Sequence, residues 1–471
     1  MFKNPKIKDY LFIIPIIFIL IIKIPHLSLP YFWDEAWSYF TAVQQMYESG
    51  PSLLPGALPL KIAKGHPLFF FFIYSSWMHI FGTSVTVVHI LSLLISVATI
   101  MVTYLMVKKH ANQNAALIAI VLLSIQSLFL AQASMVLPEM LLTLLLLLSI
   151  HMYLSRNFGW FILSAGLMVM TKETSIVFIC GFLLMHLLTY IKPEKEARKY
   201  IVETFMISVP LIIYAIFLVL HKIEFGSFFY PDHTGYVDFR FDSVSQKINI
   251  ATEIIFTRYG RKTVLIISTL SLLIILIKKT KLKSGTLLAL ILIQTLLFLS
   301  FSAINFYTQR YMLGLLSLFM IASAVIMENA KLKNLWLNTL ILIFVTSIPL
   351  YSTLTQKSNT DKDLGYVEAV MVHQKMVHFC EEQDWQDKGI SASFNLIYYL
   401  RDYSLGYLSQ DKGFSNVSDL RYIRDSEIFL IDCTNHGKEL QIDTIKTENQ
   451  LVKEYQIKQA WGEIYTNLST K

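Results

Sequence analysis

The chain has 471 residues, 54% hydrophobic and 15% charged, with a mean hydropathy of +0.52. A soluble globular domain does not look like this, and repeated apolar runs of about 20 residues point to a polytopic membrane protein. The formal net charge of +7 does not argue for nucleic acid, because the basic residues fall in short clusters between apolar runs, the pattern of cytoplasmic loops.

In chain order, Lys3, Lys6 and Lys8 precede the run 10-YLFIIPIIFILIIKIPHLSLP-30. No small-residue cleavage site follows it, so it reads as an uncleaved first helix. At its end comes 30-PYFWDEAWSYF-40, with Asp34 and Glu35 set among aromatic residues. Then 61-KIAKGHP-67 supplies Lys61, Lys64 and His66 before the run 67-PLFFFFIYSSWMHIFG-82. That run is too short for a crossing and reads as an interfacial or re-entrant segment.

Basic clusters follow at Lys108-Lys109, at Arg156, at Lys192, Lys195, Arg198 and Lys199, at Lys278, Lys279, Lys281 and Lys283, and at Lys331 and Lys333. If all are cytoplasmic, each neighbouring pair brackets two crossings. The spans are then 10–29, 84–107, 113–132, 138–155, 159–172, 174–191, 201–221, 263–277, 284–303, 311–327 and 334–352. This predicts about eleven helices, with the amino terminus cytoplasmic and the carboxyl terminus outside. The outer side receives loop 30–83, a turn near 133–138, the Lys172-Glu173 junction, loop 222–262, loop 304–310 and the tail from 353.

The tail is polar and mixed. Residues 366–383 have helical periodicity, 389-GISAS-393 and 428-IFLIDC-433 read as buried strands, and 451–467 reads as two strands around Gly462. The expected organisation is a transmembrane catalytic domain at 1–352 and a small soluble α/β extracytoplasmic domain at 353–471. Cys180 lies inside a span, and Cys380 and Cys433 could pair if the tail is exported. Neither a metal-ligand cluster nor a glycine-rich phosphate loop stands out in the tail.

Charges at a membrane edge are costly and therefore candidates for function. On the outer side these are Asp34-Glu35, Lys64, His66, Glu139 in 132-QASMVLPEM-140, Lys172-Glu173 in 170-MTKETS-175 and Arg310-Tyr311 in 305-NFYTQRY-311. Each has a plainer reading: a loop acid pair, a snorkelling base, a helix N-terminal acid favoured by the dipole, or an interfacial histidine. His26, His79 and His89 read as packing or interface residues. Arg258, Arg261 and Lys262 close loop 222–262 and are weaker phosphate candidates. Together, acids and bases on one face suit a phosphorylated substrate at the membrane: lysine and arginine hold the phosphate, and a carboxylate deprotonates a hydroxyl.

An Asp-Glu pair in the first external loop, a His-Pro before an interfacial helix, a Lys-Glu between spans and an Arg-Tyr opening a late span resemble the GT-C membrane glycosyltransferases. The nearest branch is the protein O-mannosyltransferase and aminoarabinose-transferase-like group. The resemblance covers roughly residues 1–350 in five short motifs whose order and shared side carry it. It implies sugar transfer from a polyprenyl-phosphate donor to an acceptor protein, lipid or glycan at the outer face of the plasma membrane, with no nucleic acid involved.

Residue by residue, it makes Asp34 the catalytic acid of the first loop and Glu35 its neighbour. His66, Lys172 and Arg310 fall near the donor phosphate, with Lys64, Glu139, Glu173 and Tyr311 as further substrate-binding positions. His66-Pro67-Leu68 departs from the group's His-Pro-Pro, and Gly314 stands where the late helix often has proline. Some relatives hold a divalent cation at such acids, so magnesium or manganese at Asp34 stays open. A lipid-linked sugar flippase or exporter, a polysaccharide polymerase or ligase, and a structural or assembly subunit whose tail binds a partner are the alternative functions. A transporter would be expected to show related halves and charges at the midplane, and neither is visible here.

Overall fold

The computed structural model describes residues 10–189, 197–280, 282, 284–332, 334–421, 426–434 and 442–467. Lys3, Lys6, Lys8, Lys192, Lys195, Lys281, Lys283 and Lys333, assigned above to basic clusters, lie outside the described residues. The protein is mostly helical. Helices α1 (Ile13–Lys23), α2 (Thr41–Ser49), α3 (Leu60–Ala63) and α4 (Phe69–Phe81) form the entry. The body is built from α5 (Val85–His110), α6 (Gln113–Ser124), α7 (Ser127–Gln132), α8 (Pro138–Leu154), α9 (Phe158–Val169), α10 (Ile176–Thr189) and α11 (Ala197–Phe225). It continues with α12 (Pro231–Thr234), α13 (Phe241–Thr252), α14 (Arg261–Ile277), α15 (Gly285–Ile304), α16 (Leu313–Asn329) and α17 (Leu335–Thr355).

Local chemistry sets the helix ends. Ser84, Asn112 and Asn334 each accept a hydrogen bond from a backbone N–H three residues on, satisfying a first-turn donor of α5, α6 and α17. Pro138 occupies the first turn of α8, where its missing N–H costs nothing, and Glu139 beside it meets the positive end of the helix. By length and composition five helices suffice to cross a membrane: α5, α11, α15, α16 with its preceding turn, and α17. A sixth counts if the segment 241–257 and α14, bent by 79° to each other, form one broken span. The remaining apolar helices among the described residues have 17 residues or fewer, so the eleven expected segments all appear as helices but differ in reach. The demoted segment is α4, 13 residues long, about 20 Å against a hydrocarbon core of about 30 Å.

Two expectations change. The span 113–132 is two helices, broken where the Gln126 side-chain amide donates to Leu122 O (2.7 Å). The stretch 222–262 is not an open loop, because it contains α12, α13 and a wide helical turn at Glu253–Thr257. Arg261 there is buried and donates to Gln126 Oε1 (2.9 Å) and Ser127 Oγ (3.0 Å). It clips α14 to the α6–α7 break instead of reaching toward substrate. Arg258 pairs with Glu253 at 2.8 Å, and Lys262 adds nothing to the site described below.

The bundle has two chemically distinct ends. At one, Lys109 donates to Ser155 (2.7 Å), His110 meets His151 (3.2 Å) and Arg156 pairs with Glu203. At the other, the helix ends carrying Asp34, Glu139, Lys172 and Arg310 converge beneath the tail. Helix α16 is the most enclosed of the long helices and α17 the least.

The tail folds as α18 (Tyr366–Glu382), β1 (Ile390–Ala392), α19 (Phe394–Arg401), β2 (Val417–Asp419), β3 (Ile428–Asp432), α20 (Ile442–Glu448), β4 (Asn449–Ile457) and β5 (Ala460–Asn467). The sheet order is β2-β1-β3-β5-β4, parallel between β1 and its two neighbours and antiparallel elsewhere. Strand β3 is buried on both faces. Ile428 and Leu430 join the main core, while Phe429 and Ile431 pack with Ile445 of α20, as the period of two requires. The β4–β5 turn lies at Lys458-Gln459, not at Gly462. Gly462 sits inside β5, where an added Cβ would come within 2.2 Å of Met376 Sδ on α18. Cys380 and Cys433 are buried free thiols rather than a disulfide. The tail shares one continuous core with the helices. Tyr399 Oη accepts from Trp33 N (3.1 Å), and Lys23 Nζ donates to Tyr366 Oη (2.6 Å).

Candidate active site

The first acid pair is split by the backbone. Trp33 has a left-handed φ of 53°, an unfavourable conformation for a bulky residue, held in place by the bond to Tyr399. The chain then turns into a wide helical segment, Glu35–Phe40, and the two carboxylates face different ways. Glu35 is 2% exposed. It accepts from His89 Nε2 (2.9 Å), Val136 N (2.7 Å) and Phe32 N (3.0 Å). His89 is fixed in turn by Leu27 O at 2.9 Å. Glu35 thus ties the first loop to α5 and to the turn before α8, away from the converging bases, and His89 is its partner rather than simple packing.

Asp34 faces the bases. Its Oδ1 accepts from Trp37 Nε1 (2.7 Å), and its Oδ2 lies 2.6 Å from Arg310 Nη1. Arg310, in the short turn Gln309–Met312 ahead of α16, is 2% exposed and contacts three carboxylates. Besides Asp34 these are Asp361 at 2.8 Å and Glu139 at 3.4 Å. Glu139 Oε1 also takes Lys172 Nζ at 2.7 Å. The Lys172 ammonium lies 3.4 Å over the Tyr311 ring, a strong placement for a cation. Glu139 Oε2 is buried and accepts no hydrogen bond from any described residue, an acceptor held ready at considerable desolvation cost.

His66 Nδ1 lies 2.8 Å from Glu173 Oε2, and the His66 ring neighbours those of Tyr39 and His233. Lys64, in a left-handed conformation at the end of α3, donates to Ser38 Oγ (3.0 Å) and lies 3.5 Å over the Trp37 ring. Lys61 is exposed. Burial would raise the Asp34 carboxyl, but the Arg310 guanidinium, aided by Trp37, outweighs it and holds Asp34 below its ordinary value. Burial is the stronger influence at Lys64, pushing it down to about 8 against the pull of Asp34. At Asp361 burial also wins over Arg310 and raises the carboxyl.

Asp34, Glu139, Lys172, Arg310 and Tyr311 therefore meet in one cluster, with Lys64, His66 and Glu173 at its edge and Glu35 outside it. Sequence reasoning missed Asp361, Tyr39 and His233. Asp361 lies in 357-KSNTDKDLG-365, where an acid among polar residues looks like a linker. Tyr39 was legible only as one of several aromatics. A divalent cation does not fit this donor set. Both Asp34 oxygens are engaged by Trp37 and Arg310, Glu35 points elsewhere, and among the described residues no three His, Cys, Asp or Glu gather as metal ligands.

Residues 65–221, carrying the His66, Glu139 and Lys172 motifs, match the family model described as dolichyl-phosphate-mannose-protein mannosyltransferase. None of the curated proteins matches the sequence. Among solved structures, ArnT from Cupriavidus metallidurans bound to undecaprenyl phosphate is similar over 99% of each chain, with 12% identity and a TM-score of 0.58. The apo state of the same protein covers 97% of this chain and 98% of that one, at 12% identity and a TM-score of 0.54. Archaeal oligosaccharyltransferase AglB from Archaeoglobus fulgidus, in complex with an inhibitory peptide and a dolichol-phosphate, matches 98% of this chain and 74% of its own. Its identity is 10% and its TM-score 0.50. The chain has the fold of the GT-C membrane glycosyltransferases.

Proposed function

We propose that the protein is an integral-membrane glycosyltransferase. It moves a sugar from a polyprenyl-phosphate donor to an acceptor hydroxyl on the outer face of the plasma membrane, with the amino terminus cytoplasmic and residues 353–471 forming an extracytoplasmic domain. The acceptor is a protein, lipid or glycan. The observation that carries this reading is the pairing of Asp34 with Arg310, a partly exposed base beside a buried cation, at the end where Lys172 supplies a second cation. ArnT, which shares the fold, is described with undecaprenyl phosphate.

In this mechanism the donor phosphate takes Arg310 and Lys172, with His66 and Lys64 nearby, and these charges stabilise the lipid phosphate as it leaves. Sharing its guanidinium partner with the phosphate raises the basicity of Asp34. Asp34 then accepts the acceptor's hydroxyl proton as that oxygen bonds to the anomeric carbon and the carbon–phosphate-oxygen bond breaks. Attack opposite the leaving group inverts the anomeric configuration. Glu139 Oε2, free of donors among the described residues, accepts from a donor-sugar hydroxyl or amine.

The test is reconstitution of the full chain in vesicles with a short polyprenyl-phosphate sugar. Release of lipid phosphate with a glycosylated acceptor is expected, and Asp34→Asn is expected to lower the rate by about 10²–10⁴. Normal transfer by Asp34→Asn would remove Asp34 as the base. Movement of the sugar lipid between leaflets without release would replace the transferase reading with a flippase.

A further inference from the structure

The cluster carries more acid than base. Asp34, Glu139 and Asp361 surround Arg310 and Lys172, three carboxylates to two cations. A phosphate entering this space adds further negative charge in a setting where like charges repel strongly. One acid must give way, and the three differ in how firmly they are held. Asp34 is also gripped by Trp37 and Glu139 by Lys172. Asp361 has Arg310 as its only polar partner among the described residues.

The backbone supports the same choice. Asp361 lies in irregular chain between α17 and α18, anchored on both sides of it. Asp363 accepts from Tyr259 Oη (2.6 Å), Ser358 N (3.0 Å) and Gly365 N (2.8 Å). On the other side, Asn359 donates to Gln459 O in the β4–β5 turn at 3.1 Å. These anchors fix the segment to the tail and to the chain ahead of α14, while residue 361 presents one carboxylate to the guanidinium. Burial has already raised that carboxyl, which lowers the cost of neutralising it as it departs.

Resting on the phosphate-seat reading above, we propose that Asp361 is a positioning residue that occupies on Arg310 the place of a donor phosphate oxygen. It is displaced when the donor binds. Because the tail supplies Asp361, docking of the tail sets the affinity of the membrane site for its lipid phosphate. The device keeps Arg310 compensated while the site is empty and makes product release easier, since Asp361 competes for the guanidinium as the lipid phosphate leaves.

The test measures binding of farnesyl phosphate, with farnesol as the uncharged control, to the full chain in detergent. Asp361→Asn is expected to bind farnesyl phosphate about tenfold tighter with farnesol unchanged, and Asp361→Glu to behave as wild type. A merely structural role would weaken binding in Asp361→Asn, not strengthen it. In the wild type, farnesyl phosphate is expected to speed amide hydrogen exchange at 360–362 while exchange at 366–382 stays slow. Equal or weaker binding by Asp361→Asn, with wild-type binding still lost in Arg310→Ala, overturns the role of Asp361 alone. Wild-type binding that persists in Arg310→Ala overturns the phosphate seat and this proposal together.

Discussion

Replacing Arg310 by lysine keeps the charge and removes the fork. The guanidinium holds Asp34 at 2.6 Å, Asp361 at 2.8 Å and Glu139 at 3.4 Å from a side chain 2% exposed. Both close contacts come from the one nitrogen Nη1, and an ammonium on a shorter stem falls short of that position, so at least one of them is lost. Losing one charge-assisted bond costs about 1.5–3 kcal/mol, and the geometric loss is real because the two cations are not interchangeable at such sites. If the same bond serves the departing phosphate, about 2–3 kcal/mol of transition-state stabilisation goes with it, roughly a 10²-fold fall in kcat/KM. Thermal unfolding of the detergent-solubilised protein and single-turnover glycosyl transfer read the two effects separately. Transfer within about threefold of wild type would refute Arg310 as the phosphate ligand, however the stability changes.

Glu35→Gln retains one acceptor oxygen for three donors and leaves at least one buried N–H unsatisfied. A stability loss of about 1–3 kcal/mol is expected, with kcat per folded molecule nearly unchanged. A collapse of kcat at full stability would return Glu35 to the chemistry. Lys64, held down to about 8 by burial, is charged below that pH and neutral above it. Because only the charged form attracts phosphate, KM for the donor is expected to rise as pH climbs through about 8. Lys64→Arg is expected to flatten that limb, and an identical limb in Lys64→Arg would exclude Lys64 as its origin.

How much of this was legible beforehand varies by residue. The helices were readable because apolar runs and their basic flanks are local properties. The convergence of Asp34, Glu139, Lys172 and Arg310 on one end followed from counting crossings, which depends only on sequence order. Helix α18 and strands β1 and β3 were legible by period, whereas the β4–β5 turn was misread at Gly462. That glycine answers to the proximity of Met376, a contact between distant parts of the chain.

Sequence alone therefore determined the membrane class, the order of the helices and the end at which charges gather, since hydrophobicity and charge act residue by residue. Only the tertiary structure decided which charges touch. Adjacent Asp34 and Glu35 parted because consecutive residues at the start of a helical segment face different sides, and Trp33, in a left-handed conformation braced by Tyr399, sets what each side meets. Asp361 reached Arg310 across 51 residues because the tail docks on the helix ends. Arg261 left the site because the break at Gln126 offered its guanidinium a buried partner. Pair distances fall out of packing, and packing joins residues whose separation along the chain carries no local signal.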